Sequence, residues 1–351
     1  MSFVFEVSSS AARLFNFDSQ VRPVKNHRDK ITRSVLTVAI VCNALVCFCQ
    51  VSYPYPVQKM QLSIENVSAQ MAYMDIKPFG TFNGMTIVLL HGKNFNGYYW
   101  KNLIPALVNK GYRVIVPDQI GWGRSDKPEI HYSFHLLAKN TATLLDSLHI
   151  DKIILLGHSM GGMLAARFTM MYPQRVEKLI LEDPIGLEDY KRFIPYTSTE
   201  QLADGERKQN YETYKKYQQS YYPSWKPEYE QYVKAQAEIL DKPNFDEIAR
   251  VNALTYQMIY EQPVCYEWDR IKVPTLLVIG MADRTIVGKD KIPENDRKLH
   301  GQYPVLGRKT KAQLKNATLV ELPGIGHIPH IQDPALFQKH LFDFLNKVSK
   351  K

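Results

Sequence analysis

Cysteine is nearly missing from the part of this chain that is able to fold. Of its four cysteines, Cys42, Cys47 and Cys49 sit inside one apolar run, and only Cys265 lies beyond it. An internal disulfide is therefore excluded once that run is set aside, and no cysteine spacing suits a metal. Cys265 is expected to be a small buried hydrophobe. Long apolar stretches are also scarce: Val35 to Cys49 is the most apolar segment, and it is shorter than the ~20 residues a membrane span needs. There is no basic stripe either. The net charge of +9 is diluted by acidic residues almost everywhere, which argues against a nucleic-acid partner. Internal repeats and low-complexity segments are absent.

The apolar run follows Arg22, Lys25, Arg28, Lys30 and Arg33, and its length suits the core of a secretion signal. Cleavage is expected between Cys49 and Gln50, with translation starting near Ile31, because the basic region before the run is long. Residues 1–49 are accordingly read as an N-terminal extension carrying a signal peptide. The mature protein is then periplasmic or secreted with no stable membrane span, an uncleaved anchor being the alternative. Lipid attachment at Cys47 or Cys49 is disfavoured by Val46 and Phe48 before them.

What the rest of the chain has is alternation. Residues 61–64 and 71–74 read as a hairpin around Glu65-Asn66. Met85–Leu90 is a continuous apolar run, as expected of a strand buried on both faces, and Arg113–Val116 reads as the next buried strand; Ile153–Leu156, Lys178–Leu181, Thr275–Ile279 and Thr318–Leu322 read as further strands. Helical spacing separates them at Trp100–Lys110, at Phe134–Leu148, after Ser159 and at Pro334–Val348. This is the pattern of a mostly parallel sheet flanked by helices. It stops between Pro184 and Arg270, a polar, helix-like stretch rich in tyrosine. The chain thus divides into a first core part (58–183), a helical insert (184–270) and a second core part (271–351). Residues 288–315 show no strong periodicity and carry no assignment.

Chemistry concentrates around Gly157-His158-Ser159-Met160-Gly161. The motif sits between a buried strand and a helix, so a tight turn holds the Ser159 hydroxyl proud of the sheet; side chains at 157 and 161 would collide there. A serine needs a base, and the base needs an orienting carboxylate. Asp283 follows strand 275–279 and His327 follows strand 318–322 in a Gly-Ile-Gly loop. Asp183, at the end of strand 178–181, is the rival acid. His330 is the rival base, expected instead to pack near the last helix, and His158 is expected to be structural. Two backbone N–H groups should hold the developing oxyanion, those of Met160 and of Lys93 in the loop after strand 85–90. The Lys93 side chain is expected to face solvent, though it could present charge to an anionic substrate. Phe95 and Trp122 are candidate pocket walls.

These features resemble the α/β-hydrolase superfamily over about residues 60–348. Leu89-Leu90-His91-Gly92 and Pro117-Asp118-Gln119-Ile120-Gly121-Trp122-Gly123-Arg124-Ser125-Asp126-Lys127-Pro128 carry the resemblance beyond the serine motif. The second segment is similar to epoxide hydrolases and haloalkane dehalogenases, whose nucleophile is aspartate. Ser159 in that place argues against their chemistry and for acyl transfer. The resemblance implies a helical cap between strands six and seven, matching the tyrosine-rich insert. It also implies a serine hydrolase acting on a small-molecule ester or lactone with no cofactor or metal. Carbon–carbon cleavage of a diketone-type substrate is the alternative, followed by a non-catalytic ligand-binding role.

Overall fold

The computed structural model describes residues 51–347. The readings of the basic region, the signal and its cleavage lie outside the described residues. No helix among the described residues is long and apolar enough to cross a membrane.

Eight strands form one sheet: β1 (Val57–Ile64), β2 (Val67–Ile76), β3 (Thr86–Leu90), β4 (Arg113–Pro117), β5 (Ile153–His158), β6 (Val176–Glu182), β7 (Thr275–Gly280) and β8 (Ala317–Leu322). Their spatial order is β1-β2-β4-β3-β5-β6-β7-β8. β1 and β2 make the expected hairpin. Glu65 (φ 48°) and Asn66 (φ 66°) both sit in the left-handed region, the two-residue turn that matches strand twist. β2 runs antiparallel to β4, and every pairing from β4 across to β8 is parallel. β3, β5 and β7 are buried at every residue, which is why they read as unbroken apolar runs rather than alternating ones.

Helices cover both faces. Between β3 and β6 lie α1 (Ile104–Asn109), α2 (Phe134–Ser147) and α3 (Met160–Met171). α1 is shorter than the Trp100–Lys110 helix expected. Pro105 has no N–H to donate to the preceding turn, so the α-helix starts at Ile104 and residues 97–100 form a separate 3₁₀ turn. Four helices, α4 (Thr199–Arg207), α5 (Tyr211–Gln219), α6 (Glu230–Ala237) and α7 (Phe245–Glu261), stand between β6 and β7 as the cap. Sheet and cap pack as one compact unit.

After β7 the chain makes a short α8 (Glu294–Arg297) and a full helix α9 (Tyr303–Gln313), inside the stretch left unassigned from sequence. The buried face of α9 is Tyr303, Leu306, Gly307 and Thr310, followed by Leu314. That face has helical spacing, but Gly307 and Thr310 do not register as apolar. Gly307 is there because α9 lies against β7: a Cβ would stand 2.7 Å from Ile279 Cγ1. The chain closes with α10 (Pro329–Gln332) and α11 (Pro334–Leu345).

Candidate active site

The turn after β5 is built by close backbone approach. A Cβ on Gly157 would lie 2.1 Å from Gly161 O, and one on Gly161 would lie 2.1 Å from Leu90 O. Only glycine lets β5, α3 and β3 meet at this distance. Ser159 takes φ 57°, ψ −120° between them, a conformation that costs a non-glycine residue about 1–3 kcal/mol. Its backbone is braced from three sides: Ser159 N–H donates to Glu182 O, while Ser159 O accepts from Gly162 and Ile185 N–H.

Asp283 and His327 leave β7 and β8 at the same edge of the sheet. His327 Nδ1 is 2.6 Å from Asp283 Oδ2, and His327 Nε2 is 3.0 Å from Ser159 Oγ. An ionised carboxylate offers only acceptors, so Nδ1 carries the proton and Nε2 is left to accept from the serine hydroxyl. Asp283 is held by Thr285 N–H on its other oxygen at 2.8 Å. All three groups are buried, with Ser159 6% exposed and its partners 1%.

The rivals stand beside this chain without entering it. Asp183 Oδ1 accepts from Gly280 N–H at 2.9 Å. Burial, and then the neighbouring Asp283 carboxylate, raise its pKa well above the ordinary carboxylate range, favouring the protonated form. His330 gives its backbone N–H and its ring Nδ1 to buried Glu182, at 2.8 and 2.9 Å, as a packed hydrogen-bonded pair behind the site. His158 Nε2 donates to the His327 carbonyl at 2.7 Å, and Tyr99 Oη meets its Nδ1 at 3.2 Å. Burial first, then the facing His327 and His330, hold His158 neutral. It braces the backbone of His327 rather than exchanging protons with substrate.

The loop after β3 passes directly over the serine; a Cβ on Gly92 would be 3.2 Å from Ser159 Cβ. Gly92 N–H is occupied by Tyr99 Oη at 3.1 Å. The N–H groups of Lys93 and Met160 have no acceptor among the described residues. Two free main-chain donors beside a serine hydroxyl are what a developing oxyanion requires. The Lys93 peptide is also pinned, because Trp122 Nε1 donates to its carbonyl at 2.6 Å. That contact explains part of the 117–128 segment. Asp118 accepts from Gly97 N–H (2.6 Å) and Arg124 N–H (2.7 Å), and Gln119 N–H donates to His91 Nε2 (3.1 Å), so the segment clamps the β3 loop in place.

A cavity of about 860 Å³ opens over Ser159, between sheet rim and cap. Phe95 and Trp122 line it as expected. Lys93 lines it too, against the solvent-facing expectation: its side chain is half-buried, and burial lowers the pKa of its ammonium, partly offset by Glu206 on α4. Cys265 is half-buried rather than fully buried, and burial pushes its thiol up to about 11.

Sequence reasoning missed Tyr221. From just after α5, its ring stacks on His327 (centroids 4.9 Å apart, 28° between planes), its hydroxyl accepts from Asn94 Nδ2 at 2.9 Å, and its carbonyl accepts from His327 N–H at 2.8 Å. Nothing distinguishes it in sequence from the other cap tyrosines. Glu182 was missed as well, though a carboxylate ending a buried strand was a usable signal.

Comparison with known proteins agrees with this architecture. A probable hydrolytic enzyme from Pseudomonas aeruginosa PAO1 superposes with a TM-score of 0.82 at 41% identity, over 84% of this chain and 96% of that one. An enol-lactonase from Burkholderia xenovorans LB400 shares the fold, with a TM-score of 0.63 at 22% identity over 82% and 100% of the two chains. An AB hydrolase superfamily protein of Bacillus subtilis is 43% identical over 103 residues, 29% of this chain and 36% of that protein. Matches to the curated relatives thus span about a third of their length. The family described as alpha/beta hydrolase fold matches residues 86–334, and the chain belongs to that family as a hydrolase.

Proposed function

We propose that the protein hydrolyses small or medium carboxylic esters or lactones through an acyl-serine. The observation that carries this reading is the unbroken hydrogen-bonded line Ser159–His327–Asp283 beneath the cavity. Ser159 Oγ attacks the carbonyl carbon while His327 Nε2 takes its proton. The carbonyl π electrons move onto oxygen, held by the Lys93 and Met160 N–H groups. As the carbon–oxygen double bond re-forms, the bond to the leaving alkoxide breaks and His327 returns the proton to it. A water then repeats the sequence on the acyl-serine, giving the acid and free Ser159. Asp283 holds the imidazole in one tautomer and stabilises its charged form. The esterase and lactonase folds among similar structures support this choice of substrate class.

A fluorophosphonate probe should label wild-type protein at Ser159, and Ser159→Ala should abolish both labelling and turnover of short p-nitrophenyl esters. Labelling at Ser159 with no turnover of any ester or lactone would redirect the assignment to carbon–carbon cleavage. No labelling at all would end the serine-hydrolase reading.

A further inference from the structure

We propose that the chamber selects esters and lactones whose acyl half ends in a carboxylate, with the Lys93 ammonium recognising that group. The inference rests on the acyl-serine reading and adds to it the charge of the substrate.

The walls of the chamber carry six cations among the described residues, and three are already engaged. Arg124 pairs with Glu238 at 3.3 Å. Lys127 donates to the Gly123 and Ser125 carbonyls at 2.8 and 3.0 Å, and Lys291 meets Tyr256 Oη at 3.4 Å. Lys93, Lys242 and Lys289 have no side-chain hydrogen bond or ion pair among the described residues, and Lys242 is exposed whereas Lys93 is half-buried. Lys289 lies 5.7 Å from the Tyr217 ring centroid, which gives its charge some stabilisation. Lys93 has Glu206 as the facing charge that offsets its burial. A half-buried ammonium without a partner is costly, and a ligand carboxylate inside the chamber relieves that cost.

Placement points to the acyl side. β3 lies on one flank of β5, whereas β7 and β8, which deliver Asp283 and His327, lie on the other. The leaving alcohol must sit near His327 to receive its proton. The acyl chain is assigned to the β3 side of the chamber, where Lys93 lines the wall. A single ammonium suits a singly charged carboxylate. The cavity volume of about 860 Å³ has room for the half-ester of a medium dicarboxylic acid.

The test compares methyl hydrogen adipate with dimethyl adipate, two esters with the same scissile bond, by following acid release. Wild-type kcat/KM should favour the half-ester by about tenfold or more. In Lys93→Met that ratio should fall by about tenfold, mainly through KM for the half-ester, and Lys93→Arg should retain most of it. Lys289→Gln should keep the ratio within about threefold. An equal fall in Lys289→Gln would mean that the chamber's general field selects, and would overturn the assignment to Lys93. If wild type is labelled at Ser159 and cleaves the diester without preferring the half-ester, the inference fails while the serine-hydrolase reading survives. If Ser159 is not labelled and neither ester is cleaved, both fall together.

Discussion

The rim of the sheet and the cap arrange side chains by different physical means. At the rim, backbone does the placing: Gly157 and Gly161 let three elements meet within contact distance, Ser159 is held in a strained turn, and each candidate catalytic side chain follows the end of a sheet strand. In the cap, side chains do the placing. Tyr221 covers His327 with a ring stack and anchors its hydroxyl on Asn94, while the buried hydroxyl of Tyr222 has no partner among the described residues. A rim built by backbone tolerates few changes at its glycines. A cap built by side chains can change its lining without moving the chemistry, so substrate choice belongs there and at Lys93.

The largest expected effect sharpens the contrast between the two buried carboxyl groups at the rim. Asp283→Asn should lower kcat by about 10⁴-fold, since an amide no longer stabilises the imidazolium or enforces its tautomer. Asp183→Asn should leave kcat within about twofold. Steady-state kinetics on both variants checks this, and equal losses would make Asp183 a second working acid. Next is Gly161→Ala. Its methyl would stand 2.1 Å from Leu90 O, a backbone atom, so the variant should lose about 3 kcal/mol or more in denaturant unfolding, with activity lost alongside. A variant of wild-type stability would show that the elbow can relax.

The cap should answer more softly. Tyr221→Phe keeps the stack on His327 but loses the Asn94 bond, and should cost about fivefold in kcat/KM. Tyr221→Ala removes both and should cost more than Tyr221→Phe. If the alanine variant is as active as wild type, the cap does not support the imidazole. The smallest effect concerns stability. Burial raises the Asp183 pKa in the folded state above its unfolded value, so its contribution to stability is full below about pH 4 and declines as pH rises from there. Asp183→Asn should therefore raise Tm at pH 7–8 by a few degrees (about 1 kcal/mol), with the gain vanishing near pH 4. A gain independent of pH would mean that Asp183 ionises in the folded protein.

Local chemistry by itself determined much of this protein. Short apolar runs alternating with helical spacing mark the strands of a mostly parallel sheet, glycine on either side of Ser159 suits a turn too tight for a Cβ, and the Ser–Asp–His order follows from strand ends that alternation makes visible. Tertiary structure decided what depends on distant residues. Gly307 in α9 is an apparent helix breaker until β7 is laid against it. Asp183 and Asp283 are both acids at strand ends, and only the 2.6 Å contact tells which one reaches His327. Tyr221 is one tyrosine among many until its ring lies on the imidazole, and Lys93 reads as a surface lysine until the fold places it in the chamber wall. Periodicity reports which face of an element is buried, whereas partner and distance are properties of chain segments tens to more than a hundred residues apart.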